Sequence, residues 1–156
     1  MGTDQVKNCL FFCSTNIDQR ELKKRCIDID GEWKFIPLPC SGKVDIQYLT
    51  KAFESRADGV AVVTCKLGEC RYLEGNLRAR KRVQAVDSLL QEIGLGKGRI
   101  AAIQLGDGGL DQVIGELKDF SDRIKALSQE KRKAEMQTIV SGSSQASAIT
   151  SHKESA

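Results

Sequence analysis

Two runs, GVAVVT (59–64) and RIAAIQL (99–105), are of strand length and almost unbroken in apolar residues. A strand with one wet face alternates, whereas an unbroken run belongs to a strand covered on both faces, the usual situation in a parallel sheet. Two further runs, VKNCLFF (6–12) and WKFIPLP (33–39), complete a set of four strands. Pro37 and Pro39 cannot donate to a ladder, which places the second run at a sheet edge. Helical periodicity fills the intervals. Asp45 is positioned to cap a helix that turns Leu49, Ala52 and Phe53 inward. Ala79, Val83, Val86, Leu90 and Ile93 form a stripe over 74–93 that Gly94 ends, and Val113, Leu117, Phe120, Ile124 and Leu127 form another from about Gly109. Region 16–25 reads only as one or two irregular helical turns. Strands alternating with helices give an α/β fold: a small doubly wound, flavodoxin-like parallel sheet of four strands, order 2-1-3-4, with helices on both faces. In such a sheet, ligands sit beyond the carboxyl ends of the strands.

One domain is expected over 1–128, followed over 129–156 by a charged helical extension and, after about 137, a disordered Ser-rich tail. The chain has 156 residues and a net charge of +3, too small for a nucleic-acid footprint, and few aromatic side chains for stacking. No segment approaches the roughly 20 apolar residues of a membrane span. The polar start MGTDQVKN carries no export signal, and Val6 spoils a myristoylation motif. Six cysteines without an export signal point to a reducing, cytoplasmic setting, where clustered thiols serve metals or redox chemistry more often than disulfides. The single histidine, His152, lies in the tail, so histidine-based acid–base and nucleophile arrangements have no material in the domain.

The positions of the cysteines carry the functional signal. Cys13, Cys40 and Cys65 each follow a strand, and Cys70 lies in the loop after Cys65. Neighbouring strands are roughly 5 Å apart, so the C-terminal edge of a parallel sheet can gather four such thiols. Four converging thiolates suit an iron–sulfur cluster or a zinc ion. Cys9, mid-strand, and Cys26 read as core. Gly42 in CSGK (40–43) precedes a helix start, where backbone N–H groups favour negative charge. RARKR (78–82) puts four cations in the first half of the next helix, against the macrodipole, which reads either as a solvated basic face or as one that something nearby or docked compensates.

CKLGECR (65–71) also matches the cysteine–five residues–arginine loop of cysteine-dependent phosphatases, with Cys65 as nucleophile and Arg71 as phosphate clamp. Glu69 stands where the dianion would bind, however, and that reading leaves Cys13, Cys40 and Cys70 without a role. GLGKG (94–98) and GDGG (106–109) lack the context of phosphate loops and read as turns.

CSGKVD (40–45), ADGVAVVTCKLGECRYLEGN (57–76) and the basic run to Arg82 resemble the delta subunit of methyl-viologen-reducing hydrogenase, with likeness over roughly 8–128. The resemblance implies a 2Fe-2S cluster held by Cys13, Cys40, Cys65 and Cys70, with Lys43, Lys66 and Arg71 as charges around it. It implies electron transfer between an oxidoreductase and the flavin-containing heterodisulfide reductase A-subunit, within large anaerobic and electron-bifurcating complexes. Hydrogenases, formate dehydrogenases and benzoyl-coenzyme A reductases are the implied wider partners. The sequence departs from the family pattern at Asn16, where a second cysteine is usual, at Thr64 for glycine, and at Lys66 and Arg71 for histidines. A redox-inert module held by zinc on the same thiolates is the other reading of this set.

Overall fold

The structure, a computed structural model, describes residues 5–150, with side chains as far as Gly142. Four strands, β1 (Lys7–Cys13), β2 (Glu32–Leu38), β3 (Gly59–Thr64) and β4 (Ile100–Gln104), form one sheet in the order β2-β1-β3-β4. Every pairing is parallel, as the unbroken apolar runs require. β2 lies at an edge, with Pro37 opposite Phe12 of β1.

Period-two alternation sorts the strand side chains onto two buried faces. On one, Leu10, Phe12, Ala61, Val63 and Ile103 meet α1 (Gln19–Arg25) and α4 (Gly109–Thr150). On the other, Cys9, Phe11, Val60, Val62 and Ile100 meet α2 (Ile46–Glu54) and α3 (Gly75–Glu92). Cys26 joins the first core and Cys9 the second, and burial pushes both thiols up to about 11, so neither is a reactive group. Asp45 caps α2 by accepting the Ile46 N–H at 2.6 Å, and Gly94 follows α3 at a φ of +82°.

Region 16–25 resolves as α1, capped by Asp18, which accepts the N–H groups of Arg20 and Glu21. α4 continues through 137–150, the first part of the Ser-rich tail. The remainder of that tail, 151–156, lies outside the described residues.

Arg99 shows how the end of the sheet opposite the strand-end cysteines is held. It is 5% exposed and enters no ion pair among the described residues. Its guanidinium donates to the carbonyls of Leu95 (2.7 Å), Asp58 (3.2 Å) and Leu127 (3.4 Å), tying the entries of β3 and β4 to α4. Arg99→Met keeps the bulk and strands three carbonyls, so we expect a loss of about 3 kcal/mol and a fall in Tm of roughly 10 °C. Urea and thermal melts check this, and a loss below about 1 kcal/mol would count against it.

Candidate metal centre

Cys13 ends β1, Cys40 follows β2, Cys65 follows β3, and Cys70 lies in the loop from β3 to α3. Because the sheet is parallel and β1 lies between β2 and β3, Cys13 stands between the other two strand ends. All four are buried and none is in a disulfide. They lie as two neighbouring pairs, Cys13 beside Cys65 and Cys40 beside Cys70. The pairs also feel each other electrostatically, Cys13 acting on Cys40, and both Cys40 and Cys70 acting on Cys65. Among the described residues, no three His, Cys, Asp or Glu side chains are grouped to hold one metal ion. The thiols gather two and two.

The two pairs have different surroundings. Burial, then the neighbouring Cys13 thiol, pushes the Cys65 thiol up to about 12. Cys13 donates to the Pro39 carbonyl at 3.8 Å. Cys40 is raised by burial against the pull of the Gly42 N–H, which it accepts at 3.4 Å. For Cys70, burial also pushes upward, but the N–H groups of Tyr72, Asn76 and Gly75 and the neighbouring Cys40 thiol outweigh it, and the thiol falls below its ordinary value. The start of α3 thus aims its free N–H groups at the Cys40–Cys70 pair.

The surrounding chain is shaped closely to the sulfurs. A methyl group at Gly75 would overlap the Cys40 sulfur and lie 3.1 Å from that of Cys70. One at Gly42 would come within 2.6 Å of the Gly75 Cα. Arg82 clamps the Cys40 loop onto α3, donating to the carbonyls of Gly42 (2.7 Å) and Val44 (2.6 Å). Buried Asn76 donates to the carbonyls of Cys65 (3.4 Å) and Lys66 (3.2 Å), fixing the exit from β3. The hydroxyls of Ser41 and Thr64, next in the chain to Cys40 and Cys65, are buried without a partner among the described residues. Paired thiols, N–H donors aimed at sulfur, two orphaned hydroxyls and a cradle with no room for a Cβ all fit a thiolate-held anionic group.

The expected charges are placed unequally. Lys43 and Arg71 are exposed, and neither enters an ion pair among the described residues. Lys66 is bound by Asp107 and approached by Glu69 at 3.9 Å; its hydrogen bond to Asp107 holds it above the usual lysine value, and the same bond holds Asp107 below the carboxylate range. Its charge is therefore spent locally. Within the basic run, Arg82 turns inward to the loop carbonyls while Arg78, Arg80 and Lys81 stay exposed. Gly42 and Arg82 stood out in the sequence as part of CSGK and of the basic run, whereas Gly75 and Asn76, which the structure places against the thiols and the β3 exit, did not. Their signal lay in the small residues of EGN, after Cys70.

The phosphatase reading finds little support in this geometry. A nucleophile needs a depressed pKa, and the Cys65 thiol is pushed up to about 12. The N–H groups of α3 that would cradle phosphate point at Cys70.

Residues 9–128 match the family described as methyl-viologen-reducing hydrogenase, delta subunit. Among similar proteins is the iron-sulfur D-subunit of the vhu F420-non-reducing hydrogenase of Methanocaldococcus jannaschii, 37% identical over 102 residues, covering 65% of this chain and 76% of the relative. The iron-sulfur D-subunit of the F420-non-reducing hydrogenase of Archaeoglobus profundus is 40% identical over 67 residues, 43% of this chain and 49% of the relative. The A-subunit of the ferredoxin:CoB-CoM heterodisulfide reductase of Methanosarcina mazei is 26% identical over 88 residues, 56% of this chain but 11% of that longer protein.

Proposed function

The chain belongs to the methyl-viologen-reducing hydrogenase delta subunit family, and from that premise we propose that it is an electron carrier with one 2Fe-2S cluster and no substrate of its own. The observation that carries this reading is the meeting of four buried thiols as two pairs at the C-terminal sheet edge. A binuclear cluster takes two thiolates at each iron, so Cys13 and Cys65 would hold one iron and Cys40 and Cys70 the other. A zinc ion would need all four thiolates about one point.

When bound, the cluster supplies a one-electron couple. The protein's part is to hold four deprotonated sulfurs in place and to surround them with dipoles. The N–H groups of Gly42, Tyr72, Gly75 and Asn76 stabilise negative charge on the Cys40–Cys70 pair. Arg82 and Asn76 fix the two loops that carry the ligands, and Lys43 and Arg71 add positive charge at the surface.

The partner in this proposal is a flavoprotein like the heterodisulfide reductase A-subunit. A segment similar to this chain forms part of such a protein in Methanosarcina mazei, so there the two modules share one polypeptide. The electron donor would be a hydrogenase, or a formate dehydrogenase or benzoyl-coenzyme A reductase-type enzyme, in a cytoplasmic complex of the electron-bifurcating kind. Among the described residues, no helix is long and apolar enough to cross a membrane. Residues 1–128 would form the cluster domain and 129–156 an extension from it.

Anaerobic purification tests the cofactor. We expect about two irons and two labile sulfides per chain and an S = 1/2 EPR signal after dithionite reduction. One zinc and no colour would transfer the site to the redox-inert reading.

A further inference from the structure

Four large apolar side chains stand exposed within eleven residues around the Cys70 loop: Leu67 (50%), Tyr72 (56%), Leu73 (84%) and Leu77 (42%). Leu73 has a φ of +62°, a left-handed backbone that leucine rarely adopts. A strained backbone presenting an apolar side chain to water has no folding purpose evident in its surroundings. Beside this group lies a cavity of about 320 Å³, walled by Lys43, Tyr72 and Arg78, with Cys40 and Gly75 in its lining. There the surface opens toward Cys40.

The charge around this face is positive. Lys43 and Arg71 meet no carboxylate among the described residues, while Arg78 has Glu74 at 3.9 Å and Glu69 is spent on Lys66. An apolar centre with a cationic rim, set over a buried redox site, fits a protein surface of opposite design.

We propose that the collar of Leu67, Tyr72, Leu73 and Leu77 is the docking surface for the electron-transfer partner, which presents an apolar patch rimmed by aspartate and glutamate. The proposal rests on the electron-carrier reading and adds where the electron crosses. Contact here brings the partner's cofactor over the Cys40–Cys70 pair, and Lys43 and Arg71 steer the encounter.

Leu73→Gly is a clean test because glycine accepts the left-handed backbone, so the variant should fold with an unchanged or higher melting temperature. Iron and sulfide content of the same samples tests the carrier reading separately from the surface. Affinity for the purified flavoprotein of the same host that resembles the heterodisulfide reductase A-subunit is then measured by biolayer interferometry, with the cluster-loaded chain immobilised. We expect Leu73→Gly to weaken binding at least tenfold through a faster off-rate, and Arg71→Glu to slow association and reduce its salt dependence. Wild-type affinity in both cluster-loaded variants would overturn the proposal, as would a loaded wild-type chain that fails to bind the flavoprotein. A wild-type homodimer abolished by Leu73→Gly would give the face to a second copy and also overturn it.

Discussion

Alanine in place of Gly75 is expected to leave a folded protein that does not hold its cluster. The new methyl group would overlap the Cys40 sulfur and press on that of Cys70, the two thiols assigned to one iron. A free thiol could rotate away from such a contact. A metal-bound thiolate has no such freedom, because its position is set by the metal and by the N–H groups that it accepts. Gly42→Ala should act alike by another route, since its Cβ would meet the Gly75 backbone at 2.6 Å and force the Cys40 loop away from α3. We expect retained iron to fall about ten- to a hundred-fold in either variant, with the far-ultraviolet circular dichroism preserved. Gly115→Ala is the control. That position in α4 has open space around it, so alanine there should leave iron content unchanged and stabilise the helix by about 1 kcal/mol. Wild-type iron content in Gly75→Ala would show that the sulfurs sit elsewhere when loaded.

The fold was legible because two unbroken apolar runs force a parallel sheet, and a parallel sheet fixes where strand ends go. Cys13, Cys40 and Cys65 could therefore be placed on one edge from the order of elements alone, since each follows a strand. The proline-marked edge strand and the Asp45 cap were legible for similarly local reasons. What spacing cannot convey is which thiol meets which. Pairing depends on how the loop 65–74 folds back, and that depends on Asn76 binding the Cys65 and Lys66 carbonyls. The basic run is a second example. RARKR reads as one cationic face, yet Arg82 is drawn onto the Cys40 loop by the Gly42 and Val44 carbonyls, while Arg78, one turn earlier on the same face, stays exposed and Arg80 and Lys81 lie on other sides of the helix. Lys66 is a third, its charge met by Asp107 from beyond β4, a neighbour 41 positions away in the chain. Local patterns identified the residues, while long-range contacts decided their roles.

Serine at Cys70 or Cys40 is expected to shift the reduction potential more than serine at Cys13 or Cys65. A bound cluster would gain one negative charge on reduction, and the ligand pair among the stronger positive dipoles would stabilise that charge more. Cys70 accepts N–H groups from Tyr72, Asn76 and Gly75, and Cys40 accepts one from Gly42. Cys13 instead has the Pro39 carbonyl nearby, and burial is the main influence on Cys65. Each N–H···S bond, at about 1 kcal/mol, corresponds to on the order of 40 mV for a one-electron couple. Disturbing the Cys40–Cys70 side should therefore lower the potential by tens of millivolts or more and alter the g values of the reduced signal. Changes on the Cys13–Cys65 side should leave the potential closer to wild type. An EPR-monitored redox titration of the four anaerobically loaded single variants gives the ordering. The reverse order would assign the added charge to the Cys13–Cys65 side, away from the surface cavity that Cys40 lines. The expected order would make Cys40 and Cys70, the thiols nearer the apolar collar, the ligands that stabilise the added charge closest to a partner docked there.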